Sequence, residues 1–267
     1  MTFRVTPFKS LLFQFLFMKL FKLNLLILLL TLFSSAKALS ETWNVFGPDE
    51  RKAITLFNYP YRTVGYIEST RCTGVLVGKQ LVLTAAHCVI NPITQKLRTD
   101  LTYFRPNYMH GKSYQKSWIT HLWVGTKDLK NHQEDDWAIL KIADKLGEGF
   151  GWMEIKEETE SPVQCMGYSA DLFGGKTPTL HENCKLLSET QGILLHNCHA
   201  TRGSSGAPIF VVENGKAYIV GLNVGEYRGD SERSLHLPKY EEKYANTAVN
   251  PSRFKDKIEK LRQQENQ

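Results

Sequence analysis

CTGVLVGKQLVLTAAHC, residues 72–88, is the stretch that decides the fold. Its β-branched run 74–77 and the run 80–84 are separated by Gly78-Lys79, which suits a tight hairpin turn. The pattern continues outward in both directions, with short apolar or aromatic runs at 62–67 and 138–142 between turn signals. Runs at 208–212 and 217–224 flank Glu213-Asn214-Gly215, a strong hairpin signal. Sustained helical periodicity appears only at the end. There Asn250 can cap, Pro251 fits a first turn, and Phe254, Ile258 and Leu261 recur on one face. Many short strands and one terminal helix predict an all-β barrel protein.

The chain has 267 residues, with 42% hydrophobic and 22% charged residues, ordinary for one generous globular domain or two small fused halves. Its formal charge of +6 misleads, because residues 1–38 carry Arg4, Lys9, Lys19, Lys22 and Lys37 and no acid. Without them, 28 basic residues face 27 acidic ones, and charge gives no support to a nucleic-acid partner. The basic cluster at 251–262 is interrupted by acids and reads as a solvated helix face. Residues 25–33 are almost wholly apolar, follow Lys19 and Lys22, and lead to the small-x-small pattern Ala36-Lys37-Ala38. That predicts a cleaved signal peptide over 1–38, with Met18 as an alternative start, and no stable membrane anchor after cleavage. Lys19 and Lys22 break the apolar run below the roughly 20 residues that a span needs. A short leader over 39–46 and a catalytic domain over 47–267 follow. Export to a secreted or periplasmic, oxidising setting suits the five cysteines Cys72, Cys88, Cys165, Cys184 and Cys198. None forms a CxxC pair, so no zinc site is expected, and the odd count leaves at least one thiol free.

Three segments carry chemistry: LTAAHC at 83–88, DDWAIL at 135–140 and TRGSSGAP at 201–208. A serine hydroxyl near neutral pH needs a base within hydrogen-bond reach, and the base needs a partner that fixes its tautomer. His87, after an apolar strand and two alanines, is the candidate base. Asp136 is the candidate orienting carboxylate at the mouth of a buried strand, with Asp135 and Glu134 as rivals. Ser205, in Gly203-Ser204-Ser205-Gly206, is the candidate nucleophile. Gly203 allows positive φ and close approach, so the N–H groups of Gly203 and Ser205 can converge on an oxyanion. GxSG alone is weak; GxSGxP running into a strand is stronger.

On these residues the chain resembles the chymotrypsin-like (trypsin-fold) serine proteases, within them most the bacterial branch that includes the glutamyl endopeptidases. GPDER at 47–51, CTGVLVG at 72–78, LTAAHC, DWAIL, GYSAD at 167–171, GSSGAP and NTAV at 246–249 carry the resemblance. It implies two six-stranded antiparallel barrels with the site between them, followed by the C-terminal helix. It also implies a triad of His87, Asp136 and Ser205, which favours Asp136 over its acidic neighbours, and disulfides Cys72–Cys88 and Cys184–Cys198. Each would close a loop of about 15 residues, worth roughly 3 kcal/mol on a chain-entropy basis. Cys165 is then the free thiol, a small buried hydrophobe. The chemistry needs no metal or cofactor.

The chain also departs from the family. Trypsin-type enzymes carry an aspartate just before the nucleophile, which pairs with a newly cleaved N-terminal amine. Here Ser204 stands in its place, and Phe46-Gly47-Pro48 replaces the usual start of the mature chain. Activation through that ion pair is therefore not expected. The pocket should be lined by His199, Ala200, Asn223, Gly225 and Glu226. Glutamyl endopeptidases place a histidine where this chain has Asn223, and threonine or serine where it has Ala200. With those groups absent and no aspartate present, the expected specificity is neither glutamyl nor tryptic, with His199 a possible replacement donor near the pocket floor. The leading functional expectation is an exported, monomeric serine endopeptidase acting on polypeptides. The alternative from another class is a catalytically silent, protease-fold binding protein. An esterase reading is disfavoured, since no strand–GxSxG–helix elbow is present.

Overall fold

The fold is that of a computed structural model, which describes residues 45–55, 58–91, 93–159, 162–226 and 245–265. The predicted signal segment and most of the leader lie outside the described residues. Among those described, no helix is long and apolar enough to cross a membrane.

The strands are β1 (Lys52–Ala53), β2 (Val64–Ile67), β3 (Cys72–Leu76), β4 (Leu81–Thr84), β5 (Tyr103–Pro106), β6 (Ser117–Val124) and β7 (Ala138–Ile142). A short helix α1 (Leu146–Phe150) then leads to β8 (Glu154–Ile155), β9 (Val163–Gly167), β10 (Thr179–Cys184), β11 (Leu186–Thr190) and β12 (Ile193–His196). β13 (Ala207–Glu213), β14 (Lys216–Glu226), β15 (Asn246–Val249) and helix α2 (Lys255–Glu265) complete the chain.

Six strands close a barrel in the order β2-β3-β4-β7-β6-β5, with β2 pairing back to β5. The hairpin read from residues 72–88 is β3–β4, with Val75 opposite Leu83. Every residue of β3 and β4 is buried, because these strands face the barrel interior on one side and the second sheet on the other. Ile67, Leu76, Val82, Phe104 and Leu140 fill the barrel.

The remaining strands form one nine-stranded sheet, β1-β10-β9-β13-β14-β15-β12-β11, with β8 added in parallel on β14. Among the described residues its ladder does not close as the first barrel's does. Bulges interrupt β10 between His181 and Cys184 and β11 between Leu186 and Ser188. A bulge bends the strand and leaves a residue unpaired. The Cys184–Cys198 disulfide and the Asn197 side chain, accepting from the Lys185 N–H at 2.7 Å, hold the ends there instead. Cys165 is the free thiol, buried with Val163, Ile209 and Val220. Burial pushes its pKa up to about 12, so it stays a neutral thiol.

A third cluster packs the two sheets and α2 together, with Val77, Leu81, Tyr168, Leu222, Phe254, Ile258 and Leu261 among its members. The predicted helix cap is present: the Asn250 side chain accepts from the Ser252 N–H at 2.9 Å. The basic cluster is less solvated than the sequence suggests. Arg253 pairs with Asp135, Lys255 with Glu157 and Arg262 with Glu154. Ile258 is fully buried, while Lys260 two residues on is exposed. Ile258→Ala should therefore lower stability by about 2–5 kcal/mol in urea denaturation, and Lys260→Ala by less than about 0.5 kcal/mol.

Candidate active site

His87 and Asp136 meet where β4 and β7 run side by side, Thr84 opposite Ala138. β4 leads through Ala85 into a 3₁₀ turn, Ala86–Cys88, that carries His87. Asp136 ends the 3₁₀ turn Gln133–Asp135 and precedes Trp137 and β7. Its Oδ1 accepts from the His87 backbone N–H at 2.9 Å, and its Oδ2 accepts from the ring Nδ1–H at 2.7 Å. One carboxylate thus fixes both the loop and the tautomer, leaving Nε2 as the unprotonated nitrogen. The rival acids are engaged elsewhere: Asp135 pairs with Arg253, and Glu134 contacts the exposed ring of His132 at 3.2 Å. Burial pulls the His87 pKa down, but the charge of Asp136 and the hydrogen bond to it outweigh this, so it lies above 6.5.

Ser205 lies on the 201–206 loop that feeds β13. The loop is held across the interface by Thr73, the second residue of β3. The Thr73 N–H donates to the Ser205 carbonyl at 2.9 Å, and its hydroxyl donates to the Gly203 carbonyl at 2.9 Å. Cys72, its neighbour, is disulfide-bonded to Cys88, the residue after His87. Cys72 and Thr73 therefore tie the loop of His87 to the loop of Ser205. Gly203 has φ +98, and a Cβ there would lie 2.3 Å from the Tyr168 carbonyl oxygen. Gly206 has φ +82, and a Cβ there would lie 2.3 Å from the Thr73 carbonyl oxygen. Neither position admits a side chain.

The N–H groups of Ser204, Gly206 and Ala207 donate to the carbonyls of Thr201, Asn223 and Ser204. Those of Gly203 and Ser205 have no acceptor among the described residues. Ser204 is buried, and its hydroxyl shares a 2.9 Å hydrogen bond with the Ser169 hydroxyl. One ring nitrogen of His87 lies within 4.8 Å of the sulfurs of Cys72 and Cys88. Those sulfurs are bonded to each other and offer no thiolate to a metal.

The five pocket residues do not form one uniform lining. The two His199 ring nitrogens face the segment at 46–50. Nε2–H donates to the Phe46 carbonyl at 3.2 Å, and Nδ1 accepts from the Glu50 N–H at 3.5 Å. This corrects the expectation that His199 offers a donor to substrate: its ring N–H already has an acceptor. The Asn223 side chain donates from Nδ2 to the Ser204 carbonyl at 2.9 Å, beneath the nucleophile loop. That bond uses one of the two N–H groups of the amide. Ala200 is buried. Gly225 and Glu226 close β14, opposite Thr247 and Asn246. Sequence reasoning missed Thr73 and Arg51, both inside quoted motifs but without a recognisable chemical role there.

A closed barrel with a second sheet packed on it carries the His87–Asp136 pair, and a family model for trypsin matches residues 50–240. The chain belongs to the trypsin family, the chymotrypsin-like serine proteases. It is similar to serine protease 23 of Bos taurus, 28% identical over 62% of this chain and 51% of that one. It is also similar to glutamyl endopeptidase of Bacillus licheniformis, 27% identical over 66% of this chain and 58% of that one. The chain thus spans about half the length of the curated relatives it matches. A solved structure of a Glu endopeptidase in complex with MPD superposes with a TM-score of 0.67 at 18% identity, over 82% of this chain and 99% of that one, and shares the fold.

Buried histidines elsewhere move the opposite way from His87. Burial pushes His196 down to about 4, against weaker upward pulls from the Thr247 backbone and the Asn223 side chain. Burial, reinforced by neighbouring His181, also pushes His199 down to about 4. A group whose folded pKa is depressed binds its proton first in the unfolded chain, so stability is lost as pH falls from 6.5 toward 4. Each histidine should contribute a loss of about 1.4 kcal/mol per pH unit in that window. NMR titration of the imidazoles should place His87 above 6.5 and His196 and His199 near 4. Acid unfolding with a flat stability profile between pH 6.5 and 4 would contradict this assignment.

Proposed function

We propose that this protein is an exported serine endopeptidase working through an acyl-enzyme, with His87, Asp136 and Ser205 as its triad. The observation that carries the reading is the double hydrogen bond from Asp136 to His87, at 2.9 and 2.7 Å, which presents Nε2 as a base. Nε2 takes the Ser205 hydroxyl proton as Oγ attacks the peptide carbonyl, and the Gly203 and Ser205 N–H groups receive the oxyanion. Collapse expels the amine, which takes the proton back from His87. Water, deprotonated by the same nitrogen, then hydrolyses the ester and restores Ser205. We read residues 1–38 as the signal, 39–46 as a leader and 47–267 as a monomeric catalytic domain, released to the periplasm or the medium.

A fluorophosphonate should label Ser205 in the folded protein, and Ser205→Ala should cut turnover on the order of a million-fold. Because His87 must be neutral to act and its pKa is raised, labelling should rise with pH along a limb lying above 6.5. Absence of any adduct on Ser205 would reject the protease reading in favour of the silent binding protein.

For specificity, the ring N–H of His199 is engaged on the Phe46 carbonyl, and the neutral Asn223, which gives one amide N–H to the Ser204 carbonyl, stands where a histidine would be. Neither Glu nor Lys/Arg should dominate before the scissile bond. Cleavage of a peptide library by the mature protein, beside Ser205→Ala, measures this directly; a profile dominated by Glu or by Lys/Arg would overturn it.

A further inference from the structure

The oxyanion-bearing loop runs beside residues 168–171, and the two segments are zipped rung by rung. The Ser169 and Ser204 hydroxyls share a hydrogen bond, and the Ala170 N–H donates to the Arg202 carbonyl at 2.7 Å. The Thr201 hydroxyl donates to Asp171 Oδ1. At the open end of this zipper lies Arg51, whose side chain is 1% exposed. All of its donors are used. Nε and Nη2 donate to Asp49 at 2.9 and 2.7 Å, and Nη2 donates also to Asp171 Oδ2 at 2.6 Å. Nη1 donates to Asp171 Oδ1 at 3.1 Å and to the Thr201 hydroxyl at 3.2 Å.

We propose that Arg51 is a positioning residue for the oxyanion loop, a cation internal to the chain that locks Asp171 to Thr201 and so fixes Gly203. What the loop does follows from the protease reading; what holds it follows from the geometry. A guanidinium with five donors in a rigid fork can satisfy two carboxylates and a hydroxyl together; an ammonium of three donors on a flexible stem cannot. Without it, two carboxylates face each other with no counter-charge, and the Thr201 rung opens. Buried Ser204 stands where the trypsin-type partner of a freed amine would be, and it has a neutral partner in Ser169. The ordering cation is therefore one that exists before any cut in the chain, and Asp49, Phe46 and Glu50 hold its segment in place through Arg51 and His199.

The test compares wild type, Arg51→Gln, Arg51→Lys and Asp171→Asn in the full folded protein by two readouts. Hydrogen exchange of the peptide spanning 201–206 should speed up at least tenfold in Arg51→Gln, with exchange in β3 and β4 unchanged. Fluorophosphonate labelling of Ser205 should slow at least tenfold, kcat should fall with KM little changed, and added guanidinium ion should restore part of the rate. Arg51→Lys should fall between the two. If Arg51→Gln does not fold, Asp171→Asn, which keeps the side-chain volume, should show the same loop opening. Unchanged exchange at 201–206 in the folded variants would overturn the proposal. If the wild type takes no label, the protease reading fails, and the exchange comparison still decides for or against the clamp.

Discussion

Thr73 is the constraint on which the site depends. It is fully buried, and its polar atoms join the 201–206 loop, Tyr168 and Thr84. Its N–H holds the Ser205 carbonyl, its hydroxyl holds the Gly203 carbonyl and accepts from the Tyr168 N–H, and its carbonyl accepts from the Thr84 hydroxyl. Thr84 is the last residue of β4, just before the turn that carries His87. A single threonine thus fixes the strand that leads to His87 in the first barrel against the Ser205 loop of the second sheet. A buried network of this kind, with every member satisfied, specifies one geometry more sharply than apolar packing does. Tolerance to side chains is correspondingly small nearby: both glycines of the loop would drive a Cβ into a backbone oxygen.

The electrostatics around this network show how neighbours, rather than residue type, set behaviour. His87 and His199 are both histidines placed beside an aspartate. In His87 the Asp136 carboxylate makes direct hydrogen bonds and outweighs burial. In His199 the Asp49 oxygen is 3.7 Å away and already engaged by Arg51, and the His181 ring lies tilted against it with centroids 4.1 Å apart. The first ring therefore binds a proton more readily than an ordinary histidine, and the second, pushed down to about 4, remains neutral at neutral pH.

The sequence was legible where local chemistry repeats. The β3–β4 and β13–β14 hairpins, the terminal helix with its Asn250 cap and the His87, Asp136 and Ser205 loops all follow from alternating apolar runs, turn residues and short motifs. Asp136 was separable from Asp135 only by resemblance, since three successive acids look alike until Arg253 takes one and His132 another. Long-range assignments were not legible. Nothing local in GPDER says that Arg51 reaches residue 171, and nothing in CTGVLVG says that Thr73 crosses to residue 205. His199 was misread for the same reason. Its position in the chain suggested a pocket floor, while its ring is turned toward a segment about 150 residues earlier.

The last turn of α2 reaches back to the first barrel. The Glu265 carboxylate accepts the N–H groups of Lys79 and Gln80, capping the tip of the β3–β4 hairpin, and the Arg262 guanidinium donates to the carbonyls of Val77 and Met153. The Glu265 bonds span separations of 186 and 185 residues. Whenever α2 is undocked, the turn amides of the hairpin are left to water. The strand pair that leads to His87 is thereby latched by a helix far along the chain, and loosening that helix would be felt first at the tip of the hairpin.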